Sequence, residues 1–303
     1  MTPSGGAILA VDLGGTHMRC ARVGAAGEIS DRAVLATPHD GTGVGALHAL
    51  VASVASCGPC ERAVIGVPGR VDYRVGALEH APNLPQAWLP DLTERALSTA
   101  TGFDVALAND ADLAAVGEAY FGAGRPYADV AYVTISTGVG AGVVLGGVLL
   151  HGRRSLAEVG HEVIALDRLP GGPATFEDLA SGTALHRAAV AAGVGALAQD
   201  VVTSAAAGNV AARDLWAAEV AAAGTGLANV AWVFSPEVIV VGGGLGLVGE
   251  PLLAPVRDAV GTMGPPAMRP PVAVVPAELG DDAALAGAAA WHRAFRPEAA
   301  GRT

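Results

Sequence analysis

Apolar positions in the first third of the chain fall in short runs with turn residues between them. Residues 8–12, 17–23 and 29–35 are such runs, separated by Leu13-Gly-Gly-Thr16 and Ala25-Ala-Gly-Glu28. This pattern predicts three strands in an antiparallel meander. Beyond residue 43 the rhythm alternates. A helix is expected over 44–55, a strand over 63–67, a helix over 92–100 and a strand over 105–108. A further helix opens at Asn109-Asp110, with Leu113, Val116 and Tyr120 at helical spacing. The first unit reads β-β-β-α-β-α-β-α.

The same order returns after Gly122-Ala-Gly-Arg-Pro126. Strands are expected over 130–136, 139–145 and 148–151, then a long polar segment over 152–173. Helical spacing follows across 176–191, 202–207 and 210–233, and strands at 238–241 and 272–275 alternate with helices at 249–260 and 281–295. The repeat is one of topology, not of sequence. Two such copies are the layout of the α/β actin-like ATPase (ribonuclease H-like) fold, in which two α/β domains flank an interdomain cleft that holds a nucleotide. The expected division is a small N-terminal α/β domain over 1–115, completed by the C-terminal helix within 281–303, and a large α/β domain over 116–280.

Composition narrows this picture. With 51% hydrophobic and 16% charged residues, a chain of 303 residues is a well-packed globular protein. No apolar run reaches membrane-spanning length uninterrupted, and MTPSGG lacks the basic start of a signal peptide. The expectation is a cytoplasmic protein with no membrane partner. A net charge of −11 and a pI near 5.1 argue against nucleic acid as a partner. The 18 Lys and Arg positions are all Arg, which removes a P-loop, Schiff-base or kinase-type strand lysine. Cys20, Cys57 and Cys60 are too few for a disulfide framework. Cys57-Gly-Pro-Cys60 is spelled like a redox pair, but it follows a helix and precedes a strand, the reverse of the thioredoxin order. A lone CxxC cannot complete a zinc site either.

Asp12-Leu-Gly-Gly-Thr16 sets an acid, two glycines and a hydroxyl on the first hairpin. Gly14 and Gly15 allow a phosphate close to the backbone, Thr16 can hydrogen-bond it, and Asp12 can hold Mg²⁺ directly or through water. An ordinary β-turn accounts for the same spelling. Ser136-Thr-Gly-Val-Gly-Ala-Gly142 occupies the same place in the second unit, and the recurrence favours phosphate binding. Without lysine, backbone N–H groups must supply much of the cradle. Gly244, Gly246 and Gly249 spell GxGxxG, but the next strand runs into Pro276 where a dinucleotide site needs an acid. A nucleoside-binding turn fits better than a dinucleotide oxidoreductase.

Glu158-Val-Gly-His161 and Glu177 can hydrogen-bond vicinal hydroxyls, or they belong to a solvated loop with a structural histidine. The loops Gly66-Val-Pro-Gly-Arg-Val-Asp72 and Ala81-Pro-Asn-Leu-Pro85 wall a pocket or merely join strands. At Asn109-Asp110 helix capping explains one residue of the pair. The other polar side chain is left at the carboxyl end of a buried strand, where open α/β sheets keep their ligands.

Taken together, AVDLGGT, GVPGRVD, APNLP, ANDADLAAVGE, STGVGAG, AEVGH, ASGTAL, VIVVGGG and ELGDDAALAGAA resemble the ROK family (repressors, open reading frames and kinases) in the family's order, from about Ile8 to Trp291. The resemblance implies an ATP-dependent hexose kinase with Asp110 as the catalytic base for a sugar hydroxyl. It further implies Asn109, Glu158, His161 and Glu177 as sugar ligands, with Gly69 and Asn83 on the sugar side. Asp12, Gly14, Gly15, Thr16, Thr137 and Gly138 become the phosphate and Mg²⁺ elements, Gly243 and Gly244 the adenosine wall. By the same resemblance the protein is expected to be a homodimer.

Members commonly carry a zinc site between the GH pair and the later Glu, built from that His and three cysteines. Here EVIALDRLPGGPATF fills the interval without cysteine, so no structural zinc is expected. Packing of Ile164, Leu166, Leu169 and Phe176 is the expected substitute. The first strand is expected to begin by Ile8, so the helix-turn-helix of the family's DNA-binding regulators is not expected ahead of it. The expected reaction is phosphorylation of the 6-hydroxyl of glucose or a glucose-like aminosugar. Kanosamine and an antibiotic-pathway cyclitol stand as alternatives within the family, and a non-catalytic sugar sensor as one of another class.

Overall fold

A computed structural model describes residues 6–169, 172–265 and 271–295. The chain runs β1 (Ala7–Leu13), β2 (His17–Val23), β3 (Ile29–Ala36), α1 (Gly43–Ala55), β4 (Cys60–Val67), β5 (Arg70–Asp72), β6 (Ala77–His80), α2 (Glu94–Thr101), β7 (Val105–Asn109) and α3 (Asp110–Phe121). It continues β8 (Asp129–Ile135), β9 (Val139–Leu145), β10 (Val148–Leu149), β11 (Val163–Leu169), β12 (Gly172–Thr175), α4 (Phe176–Ala180), α5 (Gly182–Ala192), α6 (Ala198–Ala206) and α7 (Val210–Phe234). The last elements are β13 (Val238–Gly242), α8 (Gly243–Gly246), α9 (Glu250–Met263), β14 (Ala273–Pro276) and α10 (Ala283–Ala294). Two compact units result. One comprises Met1–Arg125, Val144–Leu156 and Asp281–Thr303, the other Pro126–Val143 and Ala157–Gly280.

The first unit is built on a sheet of order β3-β2-β1-β4-β7. The meander strands are antiparallel, and β1, β4 and β7 are parallel. Alternation along β1 turns Leu9, Val11 and Leu13 into a core with Leu47, Val51 and Val54 of α1 and Leu97 of α2. Parallel register then sets the site. Asp12 pairs with Gly66, Gly66 with Ala108 and Val67 with Asn109, so the carboxyl ends of three strands meet in one row.

The second unit centres on a sheet of order β10-β9-β8-β13-β14, with β13 parallel to both β8 and β14. Every residue of β13 is buried, as expected of a strand covered on both faces. Helix α7 is the one described helix long and apolar enough to cross a membrane by length and composition. Here it packs against α9, α6 and α4 and buries Ala223, Leu227 and Val230.

Three expectations need correction. The segment 152–173 contains a hairpin: β11 and β12 pair antiparallel, with register shifts along the ladder. The stretch 176–191 is two helices, because extended Ser181 breaks it and caps α5 by accepting from the N–H of Ala184 (3.2 Å). Strand 148–151 shortens to Val148–Leu149.

Candidate functional site

In the first unit Asp110 is the first residue of α3, directly after β7. Asn109 is the N-cap: its Oδ1 accepts from the N–H of Asp112 (3.0 Å), and its Nδ2 donates to the carbonyl of Gly69 (2.9 Å). The cap reading thus holds for Asn109 and leaves Asp110 for other work. Asp110 Oδ1 accepts from the N–H of Ala111 (2.8 Å). Burial, and after it the charge of Asp12, pushes the Asp110 carboxyl up to about 7.

Asp12 itself is clamped. Arg19 Nη1 donates to its Oδ2 at 3.0 Å, while Nη2 of the same guanidinium reaches Asp281 at 3.1 Å. Burial nonetheless outweighs Arg19 and raises the Asp12 carboxyl. In the adjoining turn the carbonyls point into protein: that of Gly14 accepts from Thr37 Oγ1 (2.6 Å), that of Gly15 from His39 Nε2 (2.8 Å) and that of Thr16 from the Thr37 N–H (2.8 Å). Thr16 is exposed. Asn83 lies against the same turn, where a Cβ on Gly15 would stand 3.2 Å from its own. Gly69 has φ +94, and a Cβ there would collide with the carbonyl of His80, so this approach requires glycine.

In the second unit the turn at Thr137 and Gly138 is gripped from behind. Ser136 N–H donates to the Gly138 carbonyl (2.8 Å), Thr183 Oγ1 donates to the Thr137 carbonyl (2.6 Å), and the Gly182 N–H donates to the Ser136 carbonyl (2.6 Å). Glu177 Oε2 accepts from the N–H of Val139 (2.8 Å), which ties this acid to the hairpin. Beside the hairpin opens a groove of about 510 Å³ lined by Ser136, Thr137, Thr183, His186, Gly244 and Leu247, among others. A Cβ on Gly244 would meet open space, whereas Gly243 has φ +78 and abuts the carbonyl of Ile135. His186 Nδ1 donates to the carbonyl of Ala196 (2.8 Å), so its ring is braced at the groove wall.

Glu158 precedes a single 3-10 turn, Val159–His161, and its carbonyl accepts from the His161 N–H (3.1 Å). His161 is exposed. Among the described residues no group of three or more His, Cys, Asp or Glu is arranged to hold a metal ion. The predicted apolar packing of this segment is only partly found. Phe176 is fully buried against Gly226 of α7, but Leu166 is 78% exposed, and the Leu169 side chain lies outside what is described. The β11–β12 ladder does the holding, together with a bond from the Phe176 N–H to the Glu162 carbonyl (2.8 Å).

The ROK family profile matches residues 8–294, almost the whole chain. The chain belongs to the ROK family. It is similar to the bifunctional enzyme NanE/NanK of Brucella melitensis, at 38% identity over 93% of this chain, but spans only 53% of that protein's length. The N-acetylmannosamine kinase of Shigella flexneri is 32% identical over 79% of this chain and 84% of its own. The crystal structure of a ROK family glucokinase from Streptomyces griseus with glucose and AMPPNP superposes with a TM-score of 0.79, at 34% identity, covering 94% of this chain and 98% of that one. With these relatives, the two α/β units are the actin-like ATPase fold.

In this ROK protein several side chains that brace the candidate site carried no signal in the sequence. Tyr73, Arg19 and His186 sit in no motif. Only pairing across the fold brings Arg19 to Asp12 and Tyr73 to the β7–α3 junction.

Proposed function

We propose that this ROK protein is an ATP-dependent sugar kinase with Asp110 as its general base. The observation carrying this reading is the Asp110 carboxyl, half-buried at the carboxyl end of a parallel strand and raised to about 7 by loss of solvent and by the charge of Asp12. A hexose hydroxyl attacks the γ-phosphorus of ATP, its proton passes to Asp110, and the bond from phosphorus to the ADP oxygen breaks. Gly69, Asn83 and Asn109 of the first unit and Glu158, His161 and Glu177 of the second are the proposed sugar ligands. Asn109 retains one amide N–H for this after serving Asp112 and Gly69. The turns Gly14–Thr16 and Thr137–Gly138 are the proposed phosphate elements, and the groove at Gly243 and Gly244 takes the nucleoside.

Mg²⁺ would neutralise phosphate charge. Asp12, with one oxygen committed to Arg19, suits contact through water better than a place in an all-protein cage. Glucose or a glucose-like aminosugar, phosphorylated at the 6-hydroxyl, is the proposed acceptor, supported by likeness to the glucokinase. Likeness to NanE/NanK and to the N-acetylmannosamine kinase supports N-acetylmannosamine as a second reading. The proposed protein is a cytoplasmic homodimer, which light scattering tests. ATP turnover over glucose, mannose, glucosamine, N-acetylmannosamine, kanosamine and a cyclitol decides the acceptor. No turnover on any of them, with sugar binding retained, would favour the non-catalytic sensor.

A further inference from the structure

Asn109 is held between the two ends of one short strand. Its Nδ2 donates to Gly69, just before β5, and its backbone N–H donates to the hydroxyl of Tyr73 (3.1 Å), just after β5. Tyr73 Oη in turn donates to Oδ2 of Asp112 (2.7 Å), a side chain with no solvent exposure. Asp110 therefore lies between two residues pinned by one phenol. The phenol is itself fixed. The Tyr73 N–H donates to the carbonyl of Arg153 (2.8 Å), and the Arg153 guanidinium grips the buried Asp72 through Nε (2.7 Å) and Nη2 (2.6 Å). The ring packs edge-on against His151 and Phe295 and tilted against Trp291.

We propose that Tyr73 is a positioning residue that sets the aim of the Asp110 carboxylate by clamping the β7–α3 junction. The inference rests on the reading of Asp110 as base. Burial and the neighbouring Asp112 charge hold the phenol protonated well above its ordinary range, so it stays a donor wherever the enzyme works. A strand-to-helix junction fixed only by its own cap pivots about Asn109. A second anchor at Asp112 removes that freedom, and reaction rates fall steeply when a catalytic group is misplaced.

Tyr73→Phe keeps the ring and its packing and removes one oxygen. The expected result is a kcat lower by about tenfold to a hundredfold, with KM for sugar and for ATP within about twofold. A purely structural role would lower Tm and leave kcat per folded molecule unchanged. Because the effect acts through Asp110, adding Tyr73→Phe to Asp110→Asn should cost nothing further. Should Tyr73→Phe not fold, Asp112→Asn carries the same cycle, with a kcat loss of about threefold to tenfold that vanishes in the Asp110→Asn background. Unchanged kcat in Tyr73→Phe with an inactive Asp110→Asn overturns the positioning role alone, as does an undiminished loss in the double variant. A fully active Asp110→Asn instead overturns the base itself.

Discussion

The carboxylate of Asp12 lies near enough to that of Asp110 to raise its pKa beyond the effect of burial. One acid of this pair is clamped by Arg19 and the other is not, so their tasks diverge. A base must be ionised to accept a proton, and burial with the charge of Asp12 pushes the proposed base Asp110 up to about 7. The expected kcat/KM falls about tenfold per pH unit below that value and levels above it. Asp110→Asn should lose at least about a hundredfold in kcat, because an amide cannot take the proton. A pH–rate profile from mildly acid to mildly alkaline conditions checks the first claim. A profile flat through 7 and falling only near 4 would refute it.

A second buried acid makes a prediction about stability. Glu219 on α7 is 3% exposed, and among the described residues its Oε1 has no hydrogen-bond partner. Burial alone raises its carboxyl to about 8. In the unfolded chain it titrates near 4.5. As pH rises from 4.5 to 8, the unfolded chain sheds this proton and the folded one keeps it, so stability falls across that window and then levels. Glu219→Gln should remove this slope and gain on the order of 3–5 kcal/mol at the alkaline end. Urea unfolding at several pH values measures it. Parallel curves for the two proteins would show that Glu219 is ionised in the fold.

Much of this was legible in the chain, for identifiable reasons. Both meanders could be read because their turns are spelled in glycine and threonine and their strands in alternation. The Asp110 position followed from a polar pair ending a buried strand. The β11–β12 hairpin was not legible, since Pro170-Gly-Gly-Pro173 reads as loop and the ladder is irregular. Tyr73 was invisible for another reason: its partner Asn109 is 36 positions away, and nothing local marks it. Arg19 looked like an ordinary strand residue until the β1–β2 register set it opposite Asp12.

The missing cysteines lead to a metal prediction. In the segment after His161, backbone pairing of β11 with β12 and the buried Phe176 do the work of a fixed loop. Purified protein should contain zinc far below one equivalent, and a strong chelator should leave Tm and sugar binding unchanged. Phe176→Ala should destabilise the second unit by about 3–5 kcal/mol, as loss of a buried aromatic does. Stoichiometric zinc by elemental analysis would overturn the first expectation.

Helix α3, which begins at the proposed base Asp110, depends on a partner from the far end of the chain. A Cβ on Gly117 would collide with the carbonyl of Ala283, and one on Gly287 with the carbonyl of Leu113, so α3 and α10 cross backbone to backbone. Both glycines sit mid-helix, where glycine costs about 1 kcal/mol relative to alanine, and their presence is explained by the crossing. Gly287→Ala should therefore destabilise, against its helix propensity, and Gly287→Val more so, by about 3 kcal/mol or beyond. Activity per folded molecule should fall as well, since displacing α10 moves the helix that begins at Asp110. Thermal unfolding and kcat on the two variants test this together. A Gly287→Ala protein more stable than its parent would show that the helices separate at no cost and that the close crossing is not what holds α3.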